Sequence, residues 1–276
     1  MPVQVLEESY EKVTVVFEGF PRVYVNSIRR ASMSLVPVMA IDDVVILENT
    51  SSFYDEVIAH RLGLIPLKTP LEKYLIPSEC DCKSALGCPK CRVLFVLDAE
   101  ATDKVRDVLS AELVSEDEEV KPVSPNIPII KLAPGQKIKL EAYAKLGRGK
   151  SHSKWQATSA AVLRSYPLVA LNESCNNCGM CVSACTKDVF SIRNGKLKVD
   201  NPLNCNLCFE CLESCQAEPK GINVKEDEDK FILTIESSGG MAAREILVQA
   251  VKEVIKLVDD VIDKFSGEVL PVEKEK

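Results

Sequence analysis

Histidine and tryptophan are what this sequence has least of, and its acids outnumber its bases. Two histidines, His60 and His152, and a single tryptophan occur in 276 residues, and the formal net charge is −7. His60 lies in a helix-like segment between Ala59 and Arg61 and reads as an ordinary structural or surface residue. The acidic balance argues against a broad phosphate-binding surface, which Lys and Arg would have to build. No run approaches the roughly 18 uninterrupted apolar residues of a membrane span. The opening MPVQVLEESYEK lacks the basic and apolar regions of a secretory signal. A cytoplasmic protein without membrane contact is therefore expected. No glycine-rich phosphate loop is present, and GRGKSH at 147–152 lacks the Walker spacing. Neither a carboxylate triad nor an activated serine is visible. A redox enzyme would show a flavin or nicotinamide site beside its metal, and the sequence shows none.

Cysteine is the exception to this scarcity. Twelve cysteines fall into three groups of four: Cys80, Cys82, Cys88, Cys91; Cys175, Cys178, Cys181, Cys185; and Cys205, Cys208, Cys211, Cys215. In a reducing compartment such spacing favours metal over disulfides. The second and third groups share the form C-x2-C-x2-C-x3-C, an internal duplication. That spacing wraps three thiolates round one corner of an iron–sulfur cubane, and in two-cluster ferredoxins the fourth ligand comes from the other motif. Carried to this chain, one [4Fe-4S] cluster takes Cys175, Cys178, Cys181 and Cys215, and the other takes Cys205, Cys208, Cys211 and Cys185. Ferredoxin motifs place proline after the last cysteine, whereas Thr186 and Gln216 stand here. A single cluster, a [3Fe-4S] form, zinc pairs and disulfides are the alternatives. The first group, C-x-C-x5-C-x2-C, suits a closed tetrahedral zinc site of structural type, with free thiols or a disulfide pair as the alternative.

Around these groups the chain mixes helix and strand. KVTVVFEGF reads as a strand, and PRVYVNSIRRASMSLV as a helix with Pro21 in its first turn and Val25, Ile28, Leu35 and Val36 on its apolar face. VMAIDDVVILEN reads as a strand pair or one bent strand, and YDEVIAHRLGLIPL as a helix stopping near Gly63 and Pro66. VLFVLDAEA, QKIKLEAYAKL and FILTIES alternate as strands, while KPVSPNIPII, rich in proline, reads as an extended connection or edge strand. VFSIRNGKLKVD is two short strands about an Asn194-Gly195 turn. The acidic runs at 115–119 and 226–229 read as solvated loops. KLGRGKSHSKW reads as a subunit-contact or solvated loop in preference to a nucleic-acid patch. MAAREILVQAVKEVIKLVDDVIDKF carries the longest helical signal, with Ile246, Leu247, Ala250, Val251, Val254, Ile255, Val258, Val261 and Ile262 on one stripe that must meet a sheet or a partner's helix. Residues 171–222 are poor in large apolar side chains and need staples to fold.

Several of these stretches resemble the alpha-like assembly subunits of RNA polymerase. EGFPRVYVNSIRRASMSLVP is similar to the segment in which an asparagine precedes an Arg-Arg pair, here Asn26, Arg29 and Arg30. YDEVIAHRLGLIPL, GRGKSHSKW and FILTIESSGGMAAREIL also match, so the resemblance covers nearly the whole chain. It points to the archaeal D-type subunits, related to the bacterial alpha subunit and to the third subunit of eukaryotic polymerase II, in the form carrying a ferredoxin-like insertion. The group at 80–91 resembles the zinc loop of the eukaryotic relative.

The resemblance implies an α+β fold of three parts. A discontinuous alpha-subunit-like dimerisation domain would combine residues 1–50 and 223–276. A β-rich inserted domain would span 51–170, and a small ferredoxin-like double-cluster domain would span 171–222. It further implies a non-catalytic scaffold of DNA-directed RNA polymerase that heterodimerises with the smaller L subunit. The N and P subunits and the large catalytic subunits would be further partners, and DNA would be met only through the assembled enzyme. An electron-transfer subunit of an oxidoreductase is the alternative.

Overall fold

The computed structural model describes residues 2–267, with 83, 85 and 86 outside the description. The last nine residues of the expected dimerisation segment, 268–276, also lie outside the described residues. The chain opens with β1 (Val3–Glu8), β2 (Lys12–Glu18), α1 (Arg22–Ser34), β3 (Pro37–Asn49) and α2 (Asp55–Gly63). It continues through β4 (Arg92–Glu100), β5 (Arg106–Leu109), β6 (Val114–Ser115), β7 (Pro128–Leu132), β8 (Lys137–Arg148) and β9 (Thr158–Leu171). Then follow α3 (Met180–Ala184), β10 (Phe190–Arg193), β11 (Lys196–Val199), α4 (Glu210–Glu213), β12 (Ile222–Ser237) and α5 (Ala243–Gly267).

These elements divide into two compact units. The larger comprises, among the described residues, 7–13, 27–161 and 235–267. Its sheet runs in the order β3-β8-β4-β6, beside the two-stranded β5-β7. The alternation in β8 places Ile138, Leu140, Ala142, Ala144 and Leu146 inward. Antiparallel pairing sets Ala99 opposite Ile138, Leu97 opposite Leu140 and Phe95 opposite Ala142. Large side chains thus face large or small ones on one buried face, which is what fixes the register. Ile58 and Leu62, four residues apart on α2, join the same core. VMAIDDVVILEN is one bent strand, with register shifts between Ile41 and Asp43 and between Ile46 and Glu48. In α1, Val25, Ile28 and, just past the helix, Val36 are buried, while Leu35 is half-buried.

The loop joining β8 to β9 is held by contacts that only glycine permits. A Cβ at Gly149 would fall 2.2 Å from the Met33 carbonyl oxygen, and one at Gly147 would fall 2.3 Å from the Trp155 ring. Trp155 donates its indole N–H to the Lys145 carbonyl at 3.2 Å. Lys154 reaches Asp42 at 2.6 Å and lies 4.3 Å from the centre of the Trp155 ring. Arg148 pairs with Glu253 of α5 at 3.4 Å. The basic stretch is therefore largely tied to internal acids, a consequence of β8 bringing it beside β3 and α5.

Of the two acidic runs read as solvated loops, that at 115–119 is one, with Glu116, Glu118 and Glu119 exposed, except at Asp117, whereas that at 226–229 is not. Asp117 is nearly buried, 2.8 Å from Lys73 and hydrogen-bonded by the Tyr74 hydroxyl. Burial would raise its carboxyl, but the Lys73 ammonium and the Tyr74 hydroxyl outweigh that and hold it down at about 2. The run at 226–229 lies inside β12, which extends from Ile222 rather than beginning at Phe231. Sheet pairing satisfies the backbone there while most of the carboxylates face water, so the charge does not end the strand.

The smaller unit comprises residues 1–6, 14–26 and 162–234, built on a sheet in the order β1-β2-β12-β9. Its β10–β11 hairpin turns at Asn194 and Gly195, both at positive φ, as the Asn-Gly signal requires. Its local core is thin: Val189, Phe190, Leu197, Ile222 and Val224 share it with Cys181 and Cys211.

Gly149→Ala is expected to destabilise the protein by on the order of 1–3 kcal/mol, because a carbonyl cannot move aside as a side-chain tip can. A lowered urea midpoint with an unchanged slope would show it.

Candidate metal centres

The group at 80–91 is carried between a short turn of helix at Pro77–Glu79 and the start of β4. Leu75 N–H bonds the Lys90 carbonyl at 2.9 Å, and Arg92 N–H bonds that of Cys88 at 3.0 Å, so the loop is cinched at its base. Lys83, Ala85 and Leu86 lie outside the described residues. Four sulfurs converge: Cys80 to Cys88 is 3.7 Å, Cys82 to Cys91 is 3.8 Å, and Cys88 to Cys91 is 3.8 Å. A zinc–sulfur bond of about 2.3 Å places the corners of a tetrahedron about 3.8 Å apart, so this spacing fits a single four-coordinate ion. Disulfide sulfurs would lie about 2.05 Å apart, and all twelve cysteines are free. The Lys90 N–H draws the Cys88 thiol down to about 7, whereas burial pushes Cys91 up to about 12. A divalent cation overrides both environments by holding every coordinating thiol as thiolate. Four cysteine ligands close the shell and leave no position for substrate, the pattern of a structural site.

The duplicated motifs prove to be a repeat in backbone as well as in sequence. In each, the first cysteine is half-buried, the second exposed and the third buried. The residue before each second cysteine has positive φ, Asn177 at 58° and Leu207 at 60°. So does the residue after it, Gly179 at 79° and Phe209 at 63°. These left-handed residues curl each loop so that its three sulfurs converge. Helices α3 and α4 start directly after the curl and carry Cys181 and Cys211 inward.

Cys175, Cys178, Cys181 and Cys215 line one small recess together with Leu197 and Ile222. Cys175 and Cys215 are drawn together by Gly221, whose N–H donates to the Cys215 sulfur at 3.3 Å. A Cβ at Gly221 would lie 2.8 Å from the Cys175 Cα. Burial, and then the neighbouring Cys175 and Cys178, push the Cys181 thiol up. On the other side, burial and the nearby Cys205, Cys185 and Cys208 raise Cys211 to about 11. Thiols so placed resist ionisation alone and ionise readily when iron takes them as ligands, so the donor chemistry fits a cluster. The structure thus gathers Cys175, Cys178 and Cys181 with Cys215, and Cys205, Cys208 and Cys211 with Cys185. Gly221 and Arg164, which touches the Cys205 carbonyl, carried no signal in the sequence. His60 is exposed.

Residues 23–166 match the model described as the RNA polymerase Rpb3/RpoA insert domain. DNA-directed RNA polymerase subunit Rpo3 of Methanosphaera stadtmanae is 38% identical over 97% of this chain and 100% of its own length. Subunit Rpo3 of Archaeoglobus fulgidus is 37% identical over 97% of this chain and 98% of its own. That of Pyrobaculum calidifontis is 42% identical over 96% of each. The chain belongs to the Rpo3 family of DNA-directed RNA polymerase subunits. Nucleotidyl transfer is the work of the polymerase complex, and this chain supplies no catalytic site of its own. The electron-transfer alternative is not favoured by these relatives. No helix among the described residues is long and apolar enough to cross a membrane.

Cys91→Ser is expected to abolish tetrahedral metal binding at this loop, and cobalt titration of the variant should lack the thiolate absorption expected of the unmodified chain. Phe209→Gly is expected to stabilise the smaller unit by on the order of 1 kcal/mol. The strain removed, about 1–3 kcal/mol, exceeds the roughly 0.5–1 kcal/mol entropy cost of a new glycine, and a raised urea midpoint would register it.

Proposed function

We propose that this chain is the scaffold on which the polymerase assembles, equivalent to the archaeal D-type subunits, and that it heterodimerises with the smaller L subunit through α5. The observation that carries this reading is the change of surroundings along one helical stripe. Ile246 and Ala250 are fully buried in the chain's own core, whereas Ile255, Val258, Val261 and Phe265 continue the stripe in the open, Phe265 at 79% exposure. A soluble chain gains nothing from that arrangement unless another apolar face covers it. Residues 1–50 with 223–276 would form the dimerisation domain, 51–170 the insert and 171–222 the ferredoxin-like domain. The N and P subunits and the large catalytic subunits would dock on this platform in the cytoplasm, and DNA would be met only through them.

Within the scaffold, the metal centres are structural in this reading. Cys80, Cys82, Cys88 and Cys91 hold zinc. Cys175, Cys178, Cys181 and Cys215 hold one [4Fe-4S] cluster, and Cys205, Cys208, Cys211 and Cys185 hold the second. Ligation replaces the core that residues 171–222 lack, since metal binding and folding are one equilibrium. The thin core and the repeated left-handed curls support this. No electron need pass.

Anaerobic co-purification with the L subunit, followed by iron, sulfide and zinc analysis, tests both halves. The expected result is an equimolar pair with about eight irons and one zinc per chain. Val258→Asp with Val261→Asp should abolish the pair and leave metal content unchanged, whereas Cys205→Ser should remove about four irons. Pairing that survives both aspartates would overturn the role of α5. Normal iron in Cys205→Ser would overturn the ligation.

A further inference from the structure

Arg164 is a cation in an unusual place. It projects from β9, is half-buried, and donates from Nη1 to the main-chain oxygen of Cys205 at 3.1 Å. That carbonyl is neutral. Among the described residues no carboxylate lies within ion-pairing distance of Arg164, although sixteen such pairs occur elsewhere. A partly desolvated guanidinium without a counter-charge is costly. Four sulfurs that become thiolates beside it would remove that cost.

We infer that Arg164 is the built-in counter-ion of the second cluster, the one gathered by Cys205, Cys208, Cys211 and Cys185, and sets its potential apart from that of the first. The inference rests on the two-cluster reading given above. A cubane held by four thiolates is net negative and becomes more so when it accepts an electron, so a fixed cation at its edge favours the reduced form. The two halves of the repeat are alike in spacing, in the burial of their first three cysteines and in the curl of the backbone, but not in this respect. At the first set the nearest analogous cation is Lys220, whose ammonium donates to the Cys215 carbonyl at 2.6 Å. It sits at the end of a flexible four-carbon stem on a strongly hydrated head, whereas a guanidinium sheds water more easily and is held by its plane. Arg164 therefore acts as a positioning and tuning residue, one that touches the ligand loop rather than the metal. The larger stabilisation of negative charge falls on the second cluster.

The test uses the full chain purified anaerobically, with dithionite as the one-electron donor and the reduced clusters followed by electron paramagnetic resonance against ambient potential. Wild type should give two one-electron waves, and Arg164→Met should retain its iron. In that variant the ratio of oxidised to reduced form at the higher-potential wave should rise about tenfold, equivalent to about 59 mV for one electron, with the other wave unmoved. Arg164→Lys, which keeps the charge on a more mobile and more hydrated head, should move that wave in the same direction but only part of the way, by about threefold. Should Arg164→Met lose four irons while Arg164→Lys keeps them, the charge is again the agent. Full iron with both waves unmoved in Arg164→Met would overturn the inference, as would equal loss of iron in both variants, which would reduce Arg164 to its hydrogen bond. Cys205→Ser run alongside separates the two ideas: normal iron there would sink the ligation itself, whatever Arg164 does.

Discussion

Pairing along β8 is the constraint from which most of the larger unit follows. Lys137–Arg148 is bonded on one side to β3 and on the other to β4 over nearly its whole length, so its alternation sets the register of both neighbours. Arg92, the residue after Cys91, stands opposite Lys145. The base of the four-cysteine loop is thereby clamped to the central strand of the sheet, and Cys91 is buried there. At its far end β8 delivers Gly147, Arg148 and Gly149 to the one place where a backbone can lie against Met33 and Trp155. The Arg148–Glu253 pair then ties α5 to the same strand. A half-buried pair of this kind adds little stability, but it helps orient the helix whose open stripe is the proposed contact.

The smaller unit follows another logic. Its sheet is ordinary, but the segment between β9 and β12 has few apolar residues to bury and spends backbone strain at Leu207 and Phe209, where glycine would be free. Strain of that kind persists only where something over-determines the chain. In the ligation proposed above, sulfur ligands from both halves of the repeat would do so, and exchange of fourth ligands would link the halves to each other.

Much of this was legible in the sequence because period and spacing are local signals. The alternation in β4 and β8, the Asn-Gly turn, the stripe along α5 and the grouping of cysteines all lie within windows of about ten to twenty residues. What escaped was set by distant partners. The run at 226–229 looked like a loop because its charges are visible in sequence and its sheet neighbours are not. Asp117 looked solvated because Lys73 and Tyr74 lie more than forty residues earlier. Arg164 and Gly221 act on cysteines from the strands that flank the insertion, and neither residue type is informative there by itself.

The cysteine-rich segment joins its sheet through a narrow neck. The Asn172 N–H bonds the Gly221 carbonyl at 2.9 Å and its side-chain amide bonds that of Lys220 at 3.0 Å. The segment thus leaves and re-enters at a single point, where a short hairpin turn between β9 and β12 would serve equally well. Nothing in the sheet's strand order depends on what lies beyond that point. Residues 173–220 can therefore be exchanged or remodelled as one piece, with the strand order of the sheet beneath them unchanged.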